Sequence, residues 1–168
     1  MRSVVLVGFM GVGKTAVGKM LAQRLDVKFI DLDTLIEERL GMTISEMFDR
    51  FGEPYFRGVE KEAIVDLPKG EDSIVAAGGG AVLDRENVVN LRQIGPLIHL
   101  SARPEVIAER IKGQYHRPLF EAAQREEQVK RLLEERRPYY AQADYEIDTS
   151  DLTVAEVAER IESYLQES

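Results

Sequence analysis

Eight residues near the N-terminus, Gly8-Phe9-Met10-Gly11-Val12-Gly13-Lys14-Thr15, fit the pattern G-x-x-x-x-G-K-[ST] without mismatch. Glycines at these places let the backbone turn so tightly that successive N–H groups face phosphate oxygens. Gly8, Gly11, Val12, Gly13 and Ala16 are the backbone candidates for that cradle. A helix opening at Lys14 would add its partial positive charge at the same point. The Lys14 ammonium would reach the β- and γ-phosphates, and the Thr15 hydroxyl would ligate Mg²⁺. A plain glycine-rich turn with a solvated lysine is the bland alternative. The apolar strand before the loop and the amphipathic helix after it favour nucleoside triphosphate binding. Neither Asn87 nor Asn90 is followed by Lys, so the Asn-Lys-x-Asp guanine signature is missing, and the strand at 74–77 does not end in Asp. Adenine and a kinase layout are the expectation.

Asp31 and Asp33 follow a second apolar run at i, i+2. On a strand, side chains two apart share a face, so both carboxylates could look toward the phosphate loop. Asp31 would hold Mg²⁺ through a water, and Asp33 would accept a proton from a substrate hydroxyl. The alternative is that Asp33 only caps a helix over 34–40 while Asp31 is a solvated strand end. Arg57 and Glu60 are spaced i, i+3, on one helical face. They form either a surface ion pair or an arginine fork held by Glu60 for a substrate carboxylate. Gly78-Gly79-Gly80 follows a third apolar run and permits close approach and N–H donation to an anion or hydroxyl. Arg117, in a polar stretch, could swing onto the transferring phosphoryl group. Arg136 and Arg137 end a helical stretch, where the helix dipole alone would favour at least one of them. His99 lies in an apolar run and reads as a packed histidine; His116 beside Arg117 is undecided.

The elements that must position these residues are short apolar runs at 4–7, 27–30, 74–77, 97–100 and, more weakly, 145–147. Continuous apolarity suits strands covered on both faces, as in a parallel sheet. Helical stripes lie between them, including Val17, Met20, Leu21, Leu25 and a C-terminal stretch over 152–165. Strand–helix alternation predicts right-handed βαβ units in a three-layer α/β/α domain. No linker divides the chain, so one domain over 1–168 is expected. Two intervals interrupt the alternation: about 33–62, read as a substrate-binding insertion, and about 112–125, read as a lid. Ligands of open α/β sheets bind at the carboxyl edge of the strands, and both intervals follow or flank elements whose strands end at that edge.

Composition bounds the function. The 168 residues carry 22 Lys plus Arg against 30 Asp plus Glu, a net charge of −8, and no cysteine. Disulfide scaffolds, thiolate metal sites and cysteine nucleophiles are excluded. The apolar stretch Val4 to Met10 is too short to span a membrane and lacks the marks of a signal peptide, so a cytoplasmic protein is expected. Bulk acidity disfavours nucleic acid. It also disfavours anionic ligands, but the acidity is uneven. From Pro138 onward there are eight carboxylates and one arginine, whereas 103–137 holds nine basic and seven acidic residues.

Taken in order, Gly8 to Thr15, Asp31-Leu32-Asp33, Phe56-Arg57-x-x-Glu60, Gly78-Gly79-Gly80, Arg117-Pro118-Leu119 and Arg136-x-Pro138-x-Tyr140 resemble the shikimate kinases. That family belongs to the nucleoside-monophosphate-kinase-like group of phosphate-loop enzymes. The resemblance runs from Ser3 to about Ile161. It implies a five-stranded parallel sheet of order 2-3-1-4-5 and ATP-dependent phosphorylation of the shikimate 3-hydroxyl, on the route to chorismate and the aromatic amino acids. It implies that Asp33 contacts the ring hydroxyls and is the base, and that Arg57 and Arg136 grip the carboxylate with Gly79 and Gly80. Glu60 would orient the arginines, Arg117 would be the lid residue on ATP, Arg110 would stack on adenine, and the loop 148–153 would border the base. The resemblance selects Arg136 over Arg137. Two rivals stand beside it: a related kinase for gluconate or a nucleoside monophosphate, and a nucleotide-binding regulatory protein without turnover. Small size and the lack of an obvious exposed apolar stripe favour a monomer.

Overall fold

β1 (Val4–Val7) is buried along its whole length and forms the centre of the sheet. Burial on both faces explains its unbroken apolarity. Val4 and Leu6 join one hydrophobic cluster while Val5 and Val7 join the other, as the two-residue period of a strand requires. In this computed structural model, which describes residues 2–112 and 122–168, β1 pairs in parallel with β3 (Ser73–Ala76) and β4 (Leu97–Ser101). β2 (Lys28–Asp31) and β5 (Tyr145–Asp148) complete a five-stranded parallel sheet of order 2-3-1-4-5. The two edge strands are only partly buried, which is why the sequence signal at 145–147 is weak.

α1 (Lys14–Leu25), α6 (Pro104–Arg110), α7 (Ala122–Tyr140) and α8 (Val154–Glu167) cover one face, through residues such as Leu21, Ile107, Val129 and Ile161. α2 (Leu32–Leu40), α3 (Ile44–Phe51), α4 (Glu53–Val65) and α5 (Arg85–Arg92) cover the other, through Ile36, Met47, Ile64 and Leu91. The three-layer α/β/α class expected from the sequence is the fold observed.

Several boundaries differ from the sequence expectation, each for a local reason. β2 ends at Asp31 because that side chain caps α2, accepting from the Thr34 N–H at 3.2 Å. Asp33 is therefore not on a strand and caps nothing; it stands in the first turn of α2. The interval 33–62 holds α2, α3 and most of α4 without a strand. Asp84 caps α5, but a short 3-10 turn (Ala81–Leu83) comes between it and the glycines. α8 begins at Val154, two residues later than the apolar stripe, because Thr153 and Glu156 make a reciprocal capping box. Of the interval 112–125, residues 122–125 belong to α7. Arg117 and His116 lie outside the described residues.

Candidate active site

The loop between β1 and α1 takes the backbone that its glycines were expected to allow. Gly8, Gly11 and Gly13 have φ of 146°, 79° and 98°. A side chain at Gly8 would also collide with the Leu100 carbonyl oxygen. Gly13 opens α1 with no side-chain cap, so the first N–H groups of the helix carry none of the usual Ser, Thr or Asp partners. Lys14 is folded back onto this loop, donating to the carbonyls of Gly8 and, at 3.2 Å, of Phe9. Burial lowers its pKa to about 8 against the opposing pull of Asp33 and Asp31.

Thr15 and Asp31 are brought together: the hydroxyl donates to Asp31 Oδ2 at 2.8 Å. The two oxygens of Asp31 thus divide between Thr15 and the α2 cap. A hydroxyl and a carboxylate are hard oxygen donors of the kind Mg²⁺ accepts beside phosphate oxygens.

The triple glycine is the hub of the site, because each member touches a different group. A methyl built on Gly78 would stand 2.9 Å from Asp33 Oδ1 and 3.0 Å from Glu60 Oε2. Those two buried oxygens have no hydrogen-bond partner among the described residues. Burial raises the pKa of both carboxyls, against the lowering effect of Lys14 on Asp33 and of Arg57 on Glu60. A methyl on Gly79 would meet Arg136 Nη1 at 3.4 Å and the Gly8 carbonyl at 3.5 Å. One on Gly80 would overlap the Arg57 guanidinium. Close backbone approach, rather than loop flexibility, is what these three positions require.

Arg57 is not merely in a surface ion pair. Its Nη1 donates to Glu60 Oε1 at 2.9 Å, and Glu60 has no exposed surface. The Arg57 Nε also reaches Glu53 at 3.3 Å. Arg136 lies with its Cζ 5.3 Å from the centre of the Phe9 ring, inside the phosphate loop. Arg137 turns outward to Glu134 at 3.6 Å. Arg136 is therefore the arginine that faces the loop.

Arg110 sits on the opposite flank. Its Nη1 donates to the Gly11 carbonyl at 3.2 Å and to Thr149 Oγ1 at 3.0 Å, and Nη2 donates to the Thr149 carbonyl at 3.1 Å. These in-plane bonds use the edge of the guanidinium and tie the phosphate loop to the loop at 148–153. Buried Thr149 tightens the link through its hydroxyl, 3.0 Å from the Val12 carbonyl. Thr149 and Tyr140 are the residues to which sequence reasoning gave no role of their own, Tyr140 standing only in the motif Arg136-x-Pro138-x-Tyr140 and Thr149 only in the loop 148–153. Tyr140 had a signal, four residues after Arg136 on one helix. Thr149 had none, since its partner is 137 residues away. His99 is packed as expected, stacked on Tyr140 with ring centroids 4.6 Å apart, and burial lowers its pKa.

A family model described as shikimate kinase matches residues 10–166. The chain belongs to the shikimate kinase family. It is 47% identical over 161 residues to a shikimate kinase of Caldanaerobacter subterraneus subsp. tengcongensis, covering 96% of this chain and 94% of the relative. It is 46% identical over 166 residues to a shikimate kinase of Geobacter sulfurreducens, covering 99% and 92%. Among solved structures, a shikimate kinase from Acinetobacter baumannii in complex with shikimate superposes with a TM-score of 0.91 at 33% identity, covering 99% of this chain and 94% of that one. The protein is thus a kinase of this family, with ATP as its co-substrate, and the resemblance read from the ordered motifs is confirmed at the level of family and fold.

Proposed function

We propose that the protein transfers the γ-phosphoryl group of ATP to the 3-hydroxyl of shikimate, giving shikimate 3-phosphate and ADP. The observation that carries this reading is the convergence on one glycine triplet of Arg57, Arg136, Asp33 and the phosphate loop. Two guanidinium groups beside the backbone of Gly79 and Gly80 suit a carboxylate, while Asp33, on the Gly78 side, suits the hydroxyl of the same acceptor. The loop residues Gly8, Gly11, Val12, Gly13 and Ala16 cradle the phosphates. Lys14 exchanges its two carbonyl acceptors for phosphate oxygens, and Thr15 and Asp31 are the residues that would hold Mg²⁺, Asp31 through a water. When bound, the metal neutralises charge on the β- and γ-phosphates.

Phosphoryl transfer of this kind passes through a loose transition state, so positioning and charge stabilisation dominate. The acceptor oxygen forms a bond to γ-phosphorus as the bond to the bridging oxygen of ADP breaks. The hydroxyl proton passes to Asp33, whose burial keeps it more basic than an ordinary aspartate. Glu60 holds Arg57 in plane for the carboxylate. Arg110 serves the adenine side by fixing the 148–153 loop against the phosphate loop. Arg117 is the lid residue on ATP, and its assignment rests on the motif Arg117-Pro118-Leu119. Residues 33–62 form the acceptor-binding region and 112–125 the lid of a single kinase domain. Among the described residues no helix is long and apolar enough to cross a membrane, and the protein is read as a cytoplasmic monomer that binds small molecules and not nucleic acid.

ADP release measured with shikimate, gluconate or nucleoside monophosphates added singly tests the reading. Shikimate alone should stimulate turnover. Stimulation by another acceptor would reassign the substrate, and stimulation by none would favour a regulatory nucleotide-binding role.

A further inference from the structure

Tyr140 ends α7 with its ring buried and its hydroxyl at the centre of the site. The hydroxyl donates to the Gly79 carbonyl at 2.6 Å and accepts from Arg136 Nη1 at 3.4 Å. One oxygen thus joins the backbone of the glycine triplet to one of the two site arginines. The ring is held from the other side by His99, stacked at 4.6 Å with 21° between planes. His99 pairs in register with Val7, the residue before the phosphate loop. Tyr140 is therefore fixed relative to the sheet and not merely to its own helix.

This geometry has a directional effect on the backbone. In a trans peptide, the carbonyl of one residue and the N–H of the next point in opposite directions. Holding the Gly79 carbonyl on Tyr140 aims the Gly80 N–H away from that hydroxyl. The Ala81 N–H donates to the Gly78 carbonyl at 3.1 Å and closes a turn around this peptide, but glycine, lacking the steric limits of other residues, leaves its plane free to flip within that turn. The same hydroxyl restrains Arg136, whose other restraint is the Phe9 ring at 5.3 Å. We propose that Tyr140 is a positioning residue for the carboxylate half of the acceptor site, setting the Gly79–Gly80 peptide and the Arg136 guanidinium as one unit. This rests on the reading that Arg136 and the glycine triplet bind the shikimate carboxylate.

Tyr140→Phe deletes the hydroxyl and keeps the ring on His99. Loss of one such hydrogen bond is expected to raise the shikimate KM on the order of ten-fold. The ATP KM should stay within about two-fold and kcat should change less than the shikimate KM. A hydroxyl that only satisfied a buried carbonyl would lower the melting temperature without this split. The split is sharpened by an Arg136→Ala background, compared as kcat/KM for shikimate so that saturation is not needed. There, Tyr140→Phe should cost clearly less than in the wild-type background, because only its hold on the Gly79–Gly80 peptide is left to lose. An unchanged shikimate KM in Tyr140→Phe, an equal rise in the ATP KM, or full additivity with Arg136→Ala would each overturn the proposal. Wild-type protein in the same assay separates the two levels. If it shows no shikimate-dependent ADP release, the functional reading fails; if it does while Tyr140→Phe behaves as wild type, only the role of Tyr140 fails.

Discussion

Lys14 holds its charge weakly while folded onto the Gly8 and Phe9 carbonyls, with a pKa of about 8 because burial outweighs Asp33 and Asp31. Triphosphate oxygens favour the charged ammonium, so its pKa must rise on binding. The sign follows: below about pH 8 the ammonium is already charged and ATP binds at full affinity, and above it binding takes up a proton and weakens. Calorimetry near pH ~8.5 in two buffers of different ionisation heat should therefore detect proton uptake on ATP binding. No uptake would mean that Lys14 does not meet the phosphates. Lys14→Ala should abolish most turnover. Asp33→Asn should lower kcat by roughly 10²-fold or more, and near-normal turnover would remove Asp33 from the reaction. Arg57→Lys should raise the shikimate KM at least about ten-fold, because a point charge cannot reproduce the bidentate fork held by Glu60. An unchanged KM would exclude Arg57 from carboxylate binding. At this scale the sequence was informative about residue types and less so about geometry. Asp31 and Asp33 were singled out on a strand-face rationale, yet they reach the site by a strand end and a helix turn. The cap that Asp31 provides for α2 is what separates them.

The segments that meet the glycine triplet come from distant parts of the chain: the β1–α1 loop, α2, α4 and the end of α7. Their types were legible because each carries its own signal, an apolar run or a helical stripe with glycine or proline punctuation. Their contacts were not, because the hydrogen bond from Tyr140 to Gly79 spans 61 residues and that from Thr149 to Val12 spans 137. Periodicity reports which face is buried and says nothing of which side chain on another element it meets. Thr149 tests this scale. Thr149→Val keeps the shape but removes the hydroxyl that Arg110, Ser101 and the Val12 carbonyl share. It should raise the ATP KM several-fold, about the effect of one or two lost hydrogen bonds, and leave the shikimate KM unchanged. Equal effects on both substrates would instead indicate a general loosening of the sheet edge.

Across the whole molecule, the net charge of −8 hides a division of labour. The eight carboxylates from Pro138 onward lie along β5, its flanking loops and α8, while Lys14, Arg57 and Arg136 gather around the glycine triplet. The sheet order 2-3-1-4-5 sets β1 between β3 and β4, so the phosphate loop and the triplet leave adjacent strands at the same edge. That adjacency lets one fold hold a triphosphate and an acidic acceptor side by side, although bulk charge disfavours both. The most direct measurement of the central claim is phosphorus NMR of the products formed from ATP and shikimate. A single new phosphomonoester, coupled to the proton on C3 and formed in step with ADP, is the result expected. ADP without a phosphorylated shikimate, or a phosphate on another hydroxyl, would contradict it.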